Sequence, residues 1–218
     1  MIKEILYLVN KEFRLEWRQK SVITGILIYV ISTVFICYLT FRQVIDIPTW
    51  NALFWIIMLF AAVNAVARSF MQESRGVQLF YYTMVKPGSV IISKIIYNTA
   101  LLIAVSLVNF FFYSLFLGND VDDLAMFLLG LVLGSSGLAS ILTLISAIAS
   151  RANSNPSMMA ILSFPILIPL LISIIRFSKN AIDGIAWTIN SDYAYALIAL
   201  FGIVVVLSYL LFPYLWRD

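Results

Sequence analysis

Residues 124–149 read LAMFLLGLVLGSSGLASILTLISAIA, an apolar run without one charged side chain. The run exceeds the ~20 residues that an α-helix needs to cross ~30 Å of hydrocarbon. Five further uncharged runs lie on either side of it, at about 22–40, 50–67, 95–117, 157–175 and 193–215. We interpret all six as transmembrane helices, so the sequence predicts an all-α integral membrane protein.

The composition agrees with this interpretation. The chain of 218 residues is 62% hydrophobic and 11% charged, whereas soluble domains carry about 25% charged residues. No space remains for a large soluble domain, so residues 1–218 are predicted to form one transmembrane domain. The net charge of +3 comes from basic residues at the ends of the apolar runs, which is typical of membrane topology and not of a nucleic-acid site.

The distribution of basic residues predicts the orientation. An even number of spans puts both termini on one side, together with the segments 68–94 and 150–156. That side carries 11 of the 14 Lys and Arg residues, while the other has only Arg42, Arg176 and Lys179. Cytoplasmic loops are enriched in Lys and Arg, so we predict a multi-pass protein of a bacterial inner membrane with both termini in the cytoplasm.

The sequence lacks the residues that several kinds of chemistry require. The chain has one cysteine, Cys37, and no histidine, so it has no Cys/His metal site, no internal disulfide and no histidine base to activate a nucleophile. Cys37 is expected to be a small buried apolar residue. The phosphate-binding sequence G-x-x-x-x-G-K-[ST] is also absent, and uncharged spans argue against ion-coupled transport. We therefore predict a non-enzymatic protein whose energy, if ATP drives it, comes from another chain.

The N-terminal segment 1–21 is predicted to be an amphipathic helix at the membrane surface. Apolar residues recur at helical spacing, and charged residues fill most of the remaining circumference; the apolar set is Ile2, Leu6, Val9, Phe13 and Trp17. Such helices lie in the bilayer interface. The alternative is a basic anchor that only orients the first span.

Small residues and prolines mark the later spans. Gly130, Gly134 and Gly137 provide a surface for close helix contact, either within the chain or at a seam with a second copy or a partner. Pro165 and Pro169 are predicted to kink or break the fifth span, to fit the bundle or to shape a partner groove. Residues 176–192 suggest a short external helix with Ile182, Ile185, Ala186 and Ile189 on one face; an ordinary loop is the alternative.

The charged segment 68–94, RSFMQESRGVQLFYYTMVKPGSVIISK, separates the second and third spans. Gly76 offers a bend, because glycine tolerates backbone angles that other residues resist. A short helix from Val77 to Met84 follows, containing Gln78, Tyr81 and Tyr82. Pro87 ends it and suits the first position of the next helix, with Lys94 at the membrane border. This order is typical of a coupling helix on which a partner docks.

These residues resemble a known pattern. Glu73-x-x-Gly76, then Pro87 and Lys94 before an apolar span, is similar to the cytoplasmic loop of type-2 ABC transporter permeases. Many of these have an acidic residue soon after the loop glycine, where this chain has Gln78. The segments LGSSGLASILTLISAIASRA and LSFPILIPLLI resemble the haem exporter protein B family, the permease subunit of the cytochrome c maturation system.

This resemblance implies a membrane subunit that binds a separate ABC ATPase, a haem-handling membrane protein and a haem chaperone. It implies that ATP is bound by the ATPase and haem by partner subunits, with no cofactor on this chain, and that ATP hydrolysis releases the haem-loaded chaperone. The permease is expected to pair with a second copy in the lipid bilayer. Two alternatives are a type-2 ABC exporter for another cargo and a membrane scaffold without transport.

Overall fold

The computed structural model describes residues 2–18, 21–41, 45–66, 70, 85–119, 121–151 and 156–217. These residues form helices and short connections, with no strand among them. The helices are α1 (Ile2–Arg18), α2 (Ser21–Phe41), α3 (Ile47–Val66), α4 (Pro87–Leu117), α5 (Leu124–Arg151), α6 (Pro156–Ile182) and α7 (Trp187–Arg217).

The six helices α2 to α7 are each long and apolar enough to cross a membrane, which confirms the predicted all-α membrane protein. α5 is the most enclosed of them and α2 the least, so the bundle is built around α5. An aspartate carboxylate caps the N-terminus of two of the helices. Asp46 Oδ2 accepts the N–H of Thr49 at 3.3 Å before α3, and Asp123 Oδ1 accepts the N–H of Met126 at 2.9 Å before α5.

Aromatic side chains fill the core where α3 begins and α4 ends. The rings of Trp50 and Tyr113 meet edge to face with centroids 4.8 Å apart, and Phe54 and Phe127 pack beside them. The polar groups of these rings have partners: the Tyr113 hydroxyl donates to the carbonyl of Trp50 at 2.9 Å, and Trp50 Nε1 donates to the carbonyl of Gly118 at 3.3 Å. Buried Tyr and Trp side chains usually find such partners.

A buried polar network joins α3 to α6. Asn51 Nδ2 donates to the carbonyl of Ile175, and the Ser178 hydroxyl lies 2.8 Å from both Asn51 Oδ1 and Trp55 Nε1. A similar contact joins α4 to α5, where Asn98 Nδ2 donates to Thr143 Oγ1 at 2.8 Å. Hydrogen bonds of this kind hold membrane helices together where hydrophobicity gives no preference.

The ends of three helices differ most from the predicted spans. α4 begins at Pro87 instead of near residue 95, so Lys94 lies inside the helix. α6 continues to Ile182 instead of ending near residue 175, and α7 begins at Trp187 instead of near residue 193. Cys37 is buried as predicted. The assignment of the whole chain to one domain stays a prediction.

The predicted external helix at 176–192 is wrong. Residues up to Ile182 continue α6, and α7 already begins at Trp187. Between them Gly184 has φ +66, and the N–H of Ile185 donates to the carbonyl of Asn180 at 2.9 Å. This is the hydrogen bond of a left-handed glycine cap. The spaced residues therefore belong to the end of α6, the connection and the start of α7, and not to one helix.

Of the predicted kink or break at the α6 prolines, the break is wrong, whereas the kink stays a prediction. The helix runs without interruption through Pro165 and Pro169, because breaking a helix within the hydrocarbon would expose several backbone polar groups at once. The Ser173 hydroxyl donates to the carbonyl of Pro169 at 2.9 Å, which satisfies one carbonyl of this stretch.

Candidate coupling site at the basic end of the bundle

Of the residues predicted to dock a partner, Pro87 and Lys94 are within the described part of the chain and the others are not. Glu73, Gly76, Gln78, Tyr81 and Tyr82 lie outside the described residues, as does the predicted helix at 77–84. The segment is flanked by described residues on both sides, Phe70 before it and residues 85–94 after it.

Pro87 is the first residue of α4, as the sequence predicted, and Lys86 takes the N-cap position without a side-chain cap of its own. The cap comes from α1 instead. Glu4 Oε1 accepts the backbone N–H of Lys86 at 3.0 Å, and Glu4 Oε2 accepts the Ser89 hydroxyl at 2.9 Å. A carboxylate at a helix N-terminus satisfies free N–H groups and interacts favourably with the helix dipole.

The same contact changes the acidity of Glu4. The hydrogen bond from the Lys86 backbone holds the pKa of Glu4 below its usual value, against a smaller opposing effect of partial burial. Glu4 is therefore ionised at neutral pH and holds the start of α1 against the start of α4.

Lys94 was predicted to lie at the border of a partner-binding loop, but its side chain is buried inside the bundle. The residue is 1% exposed. Its Nζ lies 3.6 Å from Glu12 Oε1 of α1 and 4.7 Å from the centroid of the Phe70 ring. Lys94 thus contacts α1 and Phe70 of the central segment, which we define as residues 67–86 between α3 and α4. Its burial argues against direct contact with a partner.

All three glutamates of α1 face α4. Glu4 binds Lys86 and Ser89, Glu12 pairs with Lys94, and Glu16 forms a hydrogen bond with Tyr97. The Phe13 and Tyr97 rings add an edge contact with centroids 5.1 Å apart. Since both sets of partners advance together, α1 runs beside the first turns of α4 in the same direction.

An apolar cluster lies next to these polar contacts. It joins α1, the central segment, α4, α5 and α7, and its buried members are Leu8, Phe70, Val90, Ile91, Ile95, Ala147 and Phe212. The rings of Phe70 and Phe212 have centroids 5.5 Å apart. We call this cluster, together with Glu4, Glu12, Ser89 and Lys94, the basal junction.

The apolar face of α1 points away from the basal junction. Ile2, Leu6 and Phe13 are exposed, whereas Leu8 on the α4 side is buried. The amphipathic helix is therefore present, with its glutamates towards α4 and most of its apolar face exposed, apart from the edge contact of Phe13 with Tyr97. Its placement at the bilayer surface stays a prediction.

The small residues of α5 contact side chains of this same chain. A Cβ added to Gly130 would lie 2.9 Å from Phe177 Cδ1, and one added to Gly134 would lie 2.6 Å from Trp55 Cη2. Gly137 meets Leu170 in the same way. This geometry favours packing within the chain for the three glycines. Pro165 and Pro169 lie on the exposed side of α6, where a seam with a second copy stays a prediction.

Sequence reasoning missed Glu4, Glu12 and Phe70. The glutamates have a signal, since positions 4, 12 and 16 lie on one side of a helix with 3.6 residues per turn, separate from the apolar face. Because a charged side of a helix is normally exposed, this spacing alone did not reveal the contact with α4. Phe70 has no such signal, because its contacts with Lys94 and Phe212 depend on three-dimensional packing. Among the described residues no group of His, Cys, Asp and Glu could hold a metal ion.

Comparison with known proteins gives the family. A search of curated proteins found no match to the chain. The family model described as CcmB protein matches residues 3–215, which is nearly the whole chain. The match includes the six spans, α1 and the basal junction. The chain therefore belongs to the CcmB family, haem exporter protein B, whose members are the membrane permease subunits of the haem exporter for cytochrome c maturation.

Proposed function

We propose that this permease subunit couples ATP hydrolysis by a separate ABC ATPase to haem handling, ending in release of a haem-loaded chaperone. The observation that carries the proposal is the basal junction. It gathers α1, α4, α5 and α7 at the base of segment 71–84, so a force on that segment reaches four helices. Our expectation is that the ATPase docks on this segment, at Glu73, Gly76, Gln78, Tyr81 and Tyr82.

The chain's own residues support a division of labour. It has no phosphate-binding loop, so ATP belongs on the partner ATPase. It has no histidine, which removes the commonest protein ligand of haem iron. We therefore assign haem to a partner membrane protein and a haem chaperone. This chain would be a non-catalytic subunit without a bound cofactor.

The proposal includes an orientation and a copy number. The excess of Lys and Arg on the side of the basal junction supports a cytoplasmic location for both termini and for the ATPase. A bacterial inner membrane is the expected location, because ATP is available on its cytoplasmic face. We expect two copies of this chain in the complex, since a six-span permease resembles half of an ABC transporter.

Deletion of the gene tests the haem assignment. We expect c-type cytochromes to disappear and to return when the chain is supplied from a plasmid. Intact cytochromes in the deletion strain would favour an exporter of another cargo. Normal cytochrome formation with a catalytically dead ATPase would instead favour a scaffold without energy coupling.

Substitutions in the central segment test the docking assignment. Glu73→Arg changes the charge at its root, and Gly76→Pro removes the backbone freedom that the bend requires. Both variants are expected to keep the spans folded but to separate ATP hydrolysis from cytochrome formation. Lys179→Met, at the opposite end of the bundle, is the control. Normal ATP-dependent function in both segment variants would contradict the assignment.

A further inference from the structure

We propose that the buried Glu12–Lys94 ion pair is a positioning device, which locks α1 and Phe70 to the first turns of α4 so that movement of the central segment enters the third span. The inference rests on the proposed function, because it concerns how the docking segment acts on the bundle. It assigns the two charged residues a role in transmission and none in partner contact.

The first step is the position of Lys94. Its ammonium lies between Glu12 of α1, 3.6 Å away, and the face of Phe70, 4.7 Å from the ring centroid. Glu12 Oε1 also lies 3.4 Å from Nζ of the neighbouring, more exposed Lys11. A cation over an aromatic ring is attracted by the negative ring face. One side chain of α4 therefore holds both the N-terminal helix and the residue that leads into the docking segment.

The second step is energetic. The side chains of Lys94 and Glu12 are 2% and 15% exposed, so both charges have lost most of their hydration. Apolar side chains of similar size often stabilise a buried site as well as an ion pair does, or better. Charged residues within membrane helices are costly and usually functional. Stability alone is thus a weak reason for this pair.

The third step is mechanical. α4 is continuous from Pro87 to Leu117, about 46 Å at 1.5 Å per residue. A displacement at Lys94 is therefore passed along a helix that crosses the whole bundle. At its start the helix is also held by Glu4, and its neighbour Phe70 contacts Phe212 of α7. The ion pair lies between these two attachments and links them.

The experiment uses the full complex of the chain with its ATPase, in cells and in lipid nanodiscs. Two variants are compared with the wild type: Glu12→Gln, which removes one charge, and the double variant Glu12→Leu/Lys94→Met, which replaces the pair with apolar side chains. Lys179→Met is the matched control, because Lys179 forms a more exposed ion pair with Asp183 at the opposite end of the bundle. Thermal stability, co-purification of the ATPase, ATP hydrolysis and cytochrome yield are measured for each.

We expect both pair variants to retain the ATPase and to lower the cytochrome yield per ATP hydrolysed by about 5- to 150-fold, the range that allosteric coupling spans. The double variant should keep the thermal stability of the wild type. A pair with only a structural role would give the same stability, so stability does not separate the two cases. The fall in cytochrome yield per ATP is therefore the deciding readout. If the double variant does not accumulate, Glu12→Gln decides alone.

A wild-type cytochrome yield per ATP in Glu12→Gln, or in a folded double variant, overturns the inference and leaves the proposed function standing. Failure of the proposed function has a different signature. In that case the wild-type chain itself brings down no ATPase, or its deletion leaves cytochrome formation intact.

Discussion

At the scale of single residues, contact between α5 and its neighbours depends on glycines that leave space for large side chains. At Gly134 an added Cβ would lie 2.6 Å from the Trp55 ring, and this ring cannot move away. Trp55 lies against the glycine, and Trp55 Nε1 donates to Ser178 Oγ at 2.8 Å. The indole is thus fixed by a hydrogen bond on one side and by α5 on the other.

We predict that Gly134→Ala lowers the stability of the protein. Overpacking costs about 1–3 kcal/mol, and the gain in helix propensity from Gly to Ala returns only about 1 kcal/mol. The measurement is the thermal unfolding midpoint in one detergent. Gly202→Ala is the control, because nothing lies within 4 Å of its added Cβ; it should leave the midpoint unchanged or raise it. Equal midpoints for the two variants would contradict this packing.

Ser178 allows a second test at this scale. Its hydroxyl contacts both Asn51 Oδ1 and Trp55 Nε1, so Ser178→Ala leaves two buried polar groups without this partner. We expect a loss of about 1–2 kcal/mol, the size of an interhelical hydrogen bond in membranes. Ser173→Ala is the matched control, since Ser173 bonds only within its own helix to the carbonyl of Pro169. A loss of the same size in both variants would refute the interhelical role.

At the scale of elements, α1 is held to α4 by carboxylates, and one of them makes the contact sensitive to pH. The pKa of Glu4 is lowered in the folded state by its hydrogen bonds. The stabilisation that ionised Glu4 gives to the contact between α1 and α4 is therefore fully present above the usual Glu pKa of about 4.3. It is lost as the pH falls through the lower, folded value.

We predict that α1 stays docked at neutral pH. It loosens as the pH falls below the usual Glu pKa of about 4.3 and through the lower, folded value, where Glu4 gains a proton. The measurement is the distance between spin labels at Asn10 and Ile96, both exposed positions, in a Cys37→Ser background. Glu12 and Glu16 also face α4, so the effect of Glu4 is the difference between this protein and its Glu4→Gln variant. Identical acid profiles for the two proteins would show that Glu4 does not hold the helix.

The elements themselves were largely predictable from the sequence. Six spans and an amphipathic N-terminal helix follow from hydropathy and spacing, which act over about 20 residues and need no tertiary information. The ends of the helices were less predictable. The start of α4 is stabilised by Glu4, 82 positions earlier in the chain, and the end of α6 depends on the left-handed conformation of Gly184. Helical spacing at 182–189 did not reveal that turn.

At the scale of the whole molecule, the described helix ends divide into two groups. One end of the bundle contains the start of α4, the end of α7, Phe70 and α1; the other contains the Gly118–Asp123 connection hydrogen-bonded to Ala181 and Ile182. The sequence predicted this division by counting basic residues. It did not predict the burial of Lys94, because a Lys before an apolar run normally faces the membrane border and only its partners Glu12 and Phe70 show otherwise.

The central claim is that a separate ATPase acts on this permease through the end of the bundle that carries the basal junction. The most direct measurement is purification of the tagged chain in mild detergent, with identification of its partners and assay of ATP hydrolysis. We predict that an ATPase with a phosphate-binding loop co-purifies, together with a haem-binding membrane protein. We also predict that Glu73→Arg weakens retention of the ATPase, whereas Lys179→Met does not. The account would be contradicted if the purified, folded chain retained no ATPase although its cells required this gene to form c-type cytochromes.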